Sequence, residues 1–167
     1  MKVRYCLQCA SPLELGEHGG KQRLGCPKPD CGFVWWENPT PVVAAIIEHQ
    51  GKIVLVRSHG WPETWFGLVS GFLEKEEDPK EGIVREIREE VGLKAEVQSV
   101  IGIYPFAMMN QVILAYHVLA TGEIALGEEI AAYKLIPPER LRPWPLGTGE
   151  AVRDWLAARF PERTTKE

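Results

Sequence analysis

The 167-residue chain has no apolar run long enough to span a bilayer. Its first residues, Met1-Lys2-Val3-Arg4-Tyr5-Cys6, lack the apolar core of a secretory leader. Charge of one sign is not in excess: 19 Lys and Arg against 23 Asp and Glu leave −4. That balance argues against a chain whose main work is coating nucleic acid. No internal repeat or low-complexity segment is present, which excludes solenoids and arrays. Cysteine is scarce, with four residues, all in the first 31 positions. These absences set a cytoplasmic location as the expectation, where paired cysteines serve as metal ligands before disulfides. What is present is a globular balance, 45% hydrophobic and 25% charged. The length suits one ordinary domain, or one domain and a small module.

The cysteines fall as two pairs, Cys6-x2-Cys9 and Cys26-x4-Cys31, with sixteen residues between them. Two thiolate pairs on two turns can close a tetrahedral site around Zn²⁺. Gly19-Gly20 between the pairs is expected to turn a hairpin, and Pro27 and Pro29 interrupt any regular element. A segment of about 30 residues has too small a core to stand alone, so a metal would supply what burial cannot. Four protein ligands leave no open position, which makes such a zinc structural. Four free thiols, or two disulfides in an exported protein, are the other readings.

Residues 1–36 are thus expected to form a zinc ribbon, 37–161 a larger domain, and 162–167 a polar tail. Two β-branched runs, Val42–His49 and Lys52–Arg57, flank Gln50-Gly51, a hairpin signal. Trp65–Phe72, Val97–Tyr104, Asn110–Thr121 and Ala132–Ile136 read as further strands. Asp78-Pro79 marks a helix start, with Glu81 placed as in a capping box, and Gly92 marks its end. Ile83, Val84, Ile87 and Val91 give that helix its apolar face. Thr148 is expected to cap a final helix. The order β-β-β-α-β-β-β-α implies an α/β fold, a mixed sheet covered by helices.

On the first helix, Glu86, Glu89 and Glu90 stand three and four residues apart, along one edge of one turn. Like charges at that spacing repel unless a cation neutralises them. Clustered carboxylate oxygens suit Mg²⁺ or Mn²⁺. The alternative is a solvated acidic face.

The whole segment Gly71–Leu93 resembles the Nudix box at each defined position: Gly71, Glu77, Arg85, Glu86, Ile87, Glu89, Glu90, Gly92 and Leu93. The resemblance implies a Nudix fold, an α/β/α sandwich around a mixed sheet. It implies Mg²⁺- or Mn²⁺-dependent hydrolysis of a nucleoside diphosphate linked to another group. It implies metal ligation by Glu86 and Glu90, by Glu89 directly or through water, and by the Ser70 carbonyl. Glu77 and Arg85 are implied as a bracing ion pair. The base is implied as Glu86 or Glu89 within the box, or Glu128 or Glu129 beyond it; Glu129, which precedes Ile130, fits a late family glutamate as ligand or base.

A ribbon leading into such a domain resembles, more narrowly, the NADH pyrophosphatases. Trp36 stands where those proteins carry a tyrosine, and Pro41 matches a proline. The ribbon begins at residue 6, so the larger domain that precedes it in those enzymes is expected to be absent. Two departures stand out. Glu76 occupies a position usually held by Gly. The stretch Ile103-Tyr104-Pro105-Phe106-Ala107-Met108-Met109-Asn110-Gln111 stands in place of a Ser-Gln-Pro-Trp core.

Expected substrate contacts are Trp36, Trp65, Phe66, Tyr104, Phe106, Met108, Asn110 and Gln111. The resemblance implies NADH-like or ADP-ribose-like dinucleotides as substrates, and a homodimer. Other readings are a nucleoside triphosphate pyrophosphohydrolase, or a nucleotide-sensing or RNA-binding module. The ribbon carries modest positive charge (Arg4, Lys21, Arg23 and Lys28), so nucleic acid is an unlikely partner except as NAD-capped RNA, which holds the same bond.

Overall fold

Two Gly-containing turns start the two sheets. Gly19 and Gly20 both take positive φ, 59° and 73°, and so do Gln50 and Gly51, 49° and 72°. Positive φ at both central residues is what a two-residue hairpin turn needs to match strand twist. A computed structural model describes residues 3–161. The polar tail expected at 162–167 lies outside the described residues.

The chain divides into two units, Met1–Asn38 and Pro39–Glu167. In the first, β1 (Glu14–His18), β2 (Lys21–Gly25) and β3 (Val34–Trp35) form a small antiparallel sheet. Gly25 has no side chain because the His18 ring lies where a Cβ would stand.

The second unit runs β4 (Thr40–His49), β5 (Lys52–Ser58), β6 (Val69–Phe72), α1 (Pro79–Val91), β7 (Lys94–Phe106), β8 (Gln111–Thr121), β9 (Ile130–Ile136) and α2 (Gly149–Arg159). This is the order the sequence implied. The sheet order is β7-β8-β4-β5-β9, with β6 also paired to β4. Among the described residues only β4 and β8 run parallel, so the sheet is mixed.

Strand β4 organises the sandwich. Its residues alternate between two cores, as a pleated strand requires. Val43, Ala45 and Ile47 pack with Ile83, Ile87 and Val91 of α1. Val42 and Ala44 cluster with Ala151 of α2, and Ile46 with Val152 and Trp155. One helix therefore covers each face, giving the α/β/α arrangement. The edge of β4 is shared: Val42–Ala45 pair with β6, and Ile47–His49 pair with β5. That sharing sets β6, with Ser70 and Gly71, against α1. Among the described residues, no helix is long and apolar enough to cross a membrane.

Candidate metal and nucleotide site

Helix α1 begins where Asp78 accepts the Lys80 backbone N–H at 2.8 Å, with Pro79 in the first turn. It ends at Gly92, whose φ of 70° forms a left-handed cap. Between these ends, Arg85 gathers the carboxylates. Its Nε and Nη2 donate to the two oxygens of Glu77, at 2.7 and 3.0 Å. Its Nη1 donates to Glu86 Oε1 at 2.7 Å and Glu89 Oε2 at 3.1 Å. Nη2 also reaches the Phe72 carbonyl at 3.1 Å, tying helix to β6. The bonds from Arg85, with one from the Glu74 backbone N–H, hold the Glu77 carboxyl down at about 2. The guanidinium offsets the repulsion that the glutamate spacing creates.

Glu90 is in a different situation. Its Oε2 is buried and has no hydrogen-bond partner. Burial pushes its carboxyl up to about 8, and the charges of Glu86 and Glu129 add to that; a bond from the Ser70 backbone opposes it. Ser70, Glu86, Glu90 and Glu129 are thereby brought to one place from β6, from α1 and from the loop before β9. Gly71 makes the approach possible: a Cβ there would stand 2.0 Å from the Glu86 carboxyl carbon. An orphaned buried carboxylate oxygen among further carboxylates fits a bound divalent cation, since an uncompensated charge there is costly.

Glu129 reaches this place because the 122–129 loop is stitched to the end of α1. The Ala125 N–H bonds the Val91 carbonyl at 3.0 Å, and the Gly127 N–H bonds the Glu90 carbonyl at 3.0 Å. A Cβ on Gly127 would meet the Glu89 carbonyl oxygen at 2.1 Å. In sequence, Gly127 reads only as the flank of an acidic turn. Its tertiary role is close backbone approach.

Beyond Ser70 opens a cleft of about 770 Å³. Its walls come from three segments. Trp61, Trp65 and Phe66 belong to the loop before β6, Phe106, Met109 and Gln111 to the β7–β8 connection, and Trp144 and Leu146 to the segment before α2. Ser70 lines the cleft and also bonds Glu90, so the cleft and the carboxylates share a border.

Not every expected contact residue lies there. Tyr104 is only 7% exposed, and its hydroxyl donates to Asp154 Oδ2 at 3.0 Å. Burial and that aspartate push its phenol up to about 12. Helix α2 covers it, so Tyr104 is core rather than wall. Met108 is exposed but outside the lining, because the short 3-10 turn Ala107–Met109 presents Met109 instead. Asn110 takes a left-handed conformation that ends that turn, and its carbonyl accepts from Thr40. Trp36 belongs to the first unit, with the Arg23 guanidinium 4.9 Å from its ring centre. Sequence reasoning missed Trp144. Its signal was a tryptophan held between Pro143 and Pro145, a stiff segment just before a helix.

In the first unit the four cysteine sulfurs lie within 4.8 Å of one another, and none forms a disulfide. The Sγ atoms of Cys6 and Cys31 are 3.5 Å apart, as are those of Cys9 and Cys26. Tetrahedral thiolates about 2.3 Å from one zinc lie about 3.8 Å apart, so the set fits that ion. Contacts with the Ser11 side chain and backbone hold the Cys9 thiol down at about 6, whereas burial beside the other sulfurs pushes the Cys31 thiol up to about 12.

Comparison with known proteins agrees with this geometry. The NUDIX domain family matches residues 38–157. The chain is 25% identical over 127 residues to an NAD-capped RNA hydrolase NudC of Pseudomonas aeruginosa, covering 75% of this chain and 44% of that protein. It is 41% identical over 68 residues to an ADP-ribose pyrophosphatase of Methanocaldococcus jannaschii, 40% of each. The chain thus spans less than half the length of these relatives. The crystal structure of a NUDIX hydrolase from Nitrosomonas europaea superposes with a TM-score of 0.79 at 22% identity, covering 99% of this chain and 94% of that one. A domain match over most of the chain, an α/β/α sandwich and an acidic helix braced by Arg85 lead to one conclusion: the chain belongs to the Nudix family.

Proposed function

We propose that this protein is a divalent-metal-dependent pyrophosphohydrolase that cleaves the diphosphate of a nucleoside diphosphate derivative, with NADH-like or ADP-ribose-like molecules as its substrates. The observation that carries this is the shared border at Ser70. A buried, partnerless carboxylate oxygen stands on one side, and an aromatic cleft of nucleoside size on the other.

Glu86, Glu90 and Glu129, with the Ser70 backbone, would hold Mg²⁺ or Mn²⁺. When bound, such a cation neutralises diphosphate oxygens and acidifies a water. The side chains of the chain supply the rest. Arg85 keeps Glu86 fixed and leaves Glu89, whose side chain is 52% exposed, on the solvent side of the cluster. Glu89 or Glu129 would take the proton of the attacking water. The aromatic cleft orients the nucleoside, which positions the bond to be cleaved. The cysteine set holds a structural zinc and takes no part in the reaction. The relatives' names support this substrate class: one acts on NAD-capped RNA and another on ADP-ribose. NAD-capped RNA carries the same bond and is a further candidate.

The test is a product assay over NADH, ADP-ribose, dinucleoside polyphosphates and nucleoside triphosphates, each with Mg²⁺ and Mn²⁺. The reading expects two monophosphates from NADH and from ADP-ribose, and no turnover with chelator. Pyrophosphate released from triphosphates as the main product would replace it with the triphosphate reading.

A further inference from the structure

One wall of the cleft carries a pair of cations that the proposed reaction does not use. Lys134 of β9 holds its ammonium 3.8 Å from the ring centre of Phe66, and Phe66 lines the cleft. Arg57 of β5 stands beside them. Strand pairing sets Arg57 opposite Ala132, and Leu55 opposite Lys134. Arg57 and Lys134 are therefore diagonal neighbours on one face of the sheet, a separation that long side chains can span. The backbone of Val56 bonds that of Gly67 in both directions at 2.9 Å, which brings Phe66 up to the same place.

Neither cation is neutralised. Among the described residues, no carboxylate forms an ion pair with Arg57 or Lys134, although Glu63 lies in the loop that carries Phe66. An exposed lysine without a partner is ordinary, but Arg57 is half-buried. Like charges set together across two strands repel, and a guanidinium drawn out of water calls for an anion. The face of the sheet decides which anion. Leu55 belongs to the core under α2, whereas Val54 and Val56 belong to the core under α1. By the alternation of β5, Arg57 and Lys134 share the α2 face with Phe66 and turn away from the glutamates of α1. The diphosphate and its cation would meet those glutamates, so the pair is left for a further anionic group of the ligand.

We propose that Arg57 and Lys134 form a phosphate subsite at the Phe66 edge of the cleft, which takes a phosphate carried on the ribose of the bound nucleotide. A fixed fork of N–H donors beside a mobile ammonium suits the oxygens of such a group. Two sources share this chemistry. One is a ribose 2′-phosphate, as in a phosphorylated dinucleotide; the other is the 3′-linked phosphate of an RNA that continues from the nucleotide. The proposal rests on the hydrolase reading for the nucleotide in the cleft, but its binding chemistry is measured apart from turnover.

The test is calorimetric binding of AMP, adenosine 2′,5′-bisphosphate and adenosine 3′,5′-bisphosphate to the full chain with Mg²⁺ present, and hydrolysis of ADP-ribose measured separately. One bisphosphate should bind about 10-fold more tightly than AMP at low salt, and the advantage should shrink as salt rises. Preference for the 2′ isomer marks the phosphorylated dinucleotide, and preference for the 3′ isomer marks the RNA. Lys134→Gln, an exposed change, should lower the ratio of bisphosphate to AMP affinity several-fold, and Lys134→Glu should invert it. Arg57→Gln should remove the advantage, and Arg57→Lys should restore part of it. Arg57 is half-buried, so thermal melting accompanies its variants. Equal affinity for AMP and both bisphosphates, or an unchanged ratio in Lys134→Glu, overturns the subsite. Equal losses of AMP and bisphosphate binding, which leave the ratio intact, overturn it too. Selective bisphosphate binding in a chain that hydrolyses no ADP-ribose would keep the subsite and remove the proposed reaction. Hydrolysis of ADP-ribose without any bisphosphate preference would do the reverse.

Discussion

The chain holds two clusters of side chains whose chemistry suits a metal ion, and they are built on opposite plans. In the first unit, four cysteine sulfurs converge within 4.8 Å of one another. In the second, carboxylates arrive from a helix and a loop beside the Ser70 backbone of a strand, an arginine ties down two of them, and one buried oxygen remains without a partner. The cysteine cluster is a compact set of four thiols within one unit. The acidic cluster is incomplete and opens onto a cleft. A closed set of soft ligands serves folding, whereas an incomplete set of hard ligands leaves room for substrate oxygens.

That contrast has measurable consequences. The largest belongs to the acidic cluster. Glu90→Gln should lower diphosphate turnover by about 10³-fold while the thermal melt stays cooperative. Near-normal Mg²⁺-dependent activity in a folded variant would sink the metal assignment. Next comes the cysteine cluster. Cys26→Ser should abolish zinc binding, read as metal stoichiometry, and remove amide-exchange protection from β1 and β2. Unchanged zinc content would refute the ribbon.

A smaller effect concerns Arg85 and Glu77. The Glu77 carboxyl lies at about 2 in the folded chain, against an unfolded value of about 4.3. A depressed carboxyl contributes stability above the unfolded value and loses it as pH falls toward the folded one. Denaturant midpoints should therefore drop between about pH 4.3 and pH 2, and Glu77→Gln should flatten that drop. An identical pH profile in the variant would count against the brace.

The smallest effect is a gain. Glu76 has a φ of 65°, the left-handed region where a side chain costs about 1 kcal/mol or more. Glu76→Gly should raise stability by about 1 kcal/mol in a melting experiment. The Lys75–Glu76 ion pair is exposed on both sides and offsets little of that strain.

Much of the fold could be read directly from local pattern. The turn at Gln50-Gly51, the Asp78-Pro79 start and the Gly92 stop are local chemistry, and each is found as expected. The long strand β7 was only partly visible. It runs Lys94–Phe106 with two register shifts, and these interrupt the alternation that marks a strand. The approach of Glu86 to Gly71, and of Glu129 to Glu90, depends on pairing between distant segments. Tyr104 shows the limit most plainly. It has the composition of a stacking residue, but α2, fifty residues later, covers it.

The sequence alone determined the chemistry available: four thiols in two pairs, a capped helix with glutamates along one edge, and an arginine beside them. These follow from spacing, because turns and helices fix the relation of neighbours. Only the tertiary structure decided which carboxylate is buried without a partner and which aromatics form one cleft. Those properties arise when Ser70, Glu90, Glu129 and Trp144 meet from separate elements, and burial exists only once they have met.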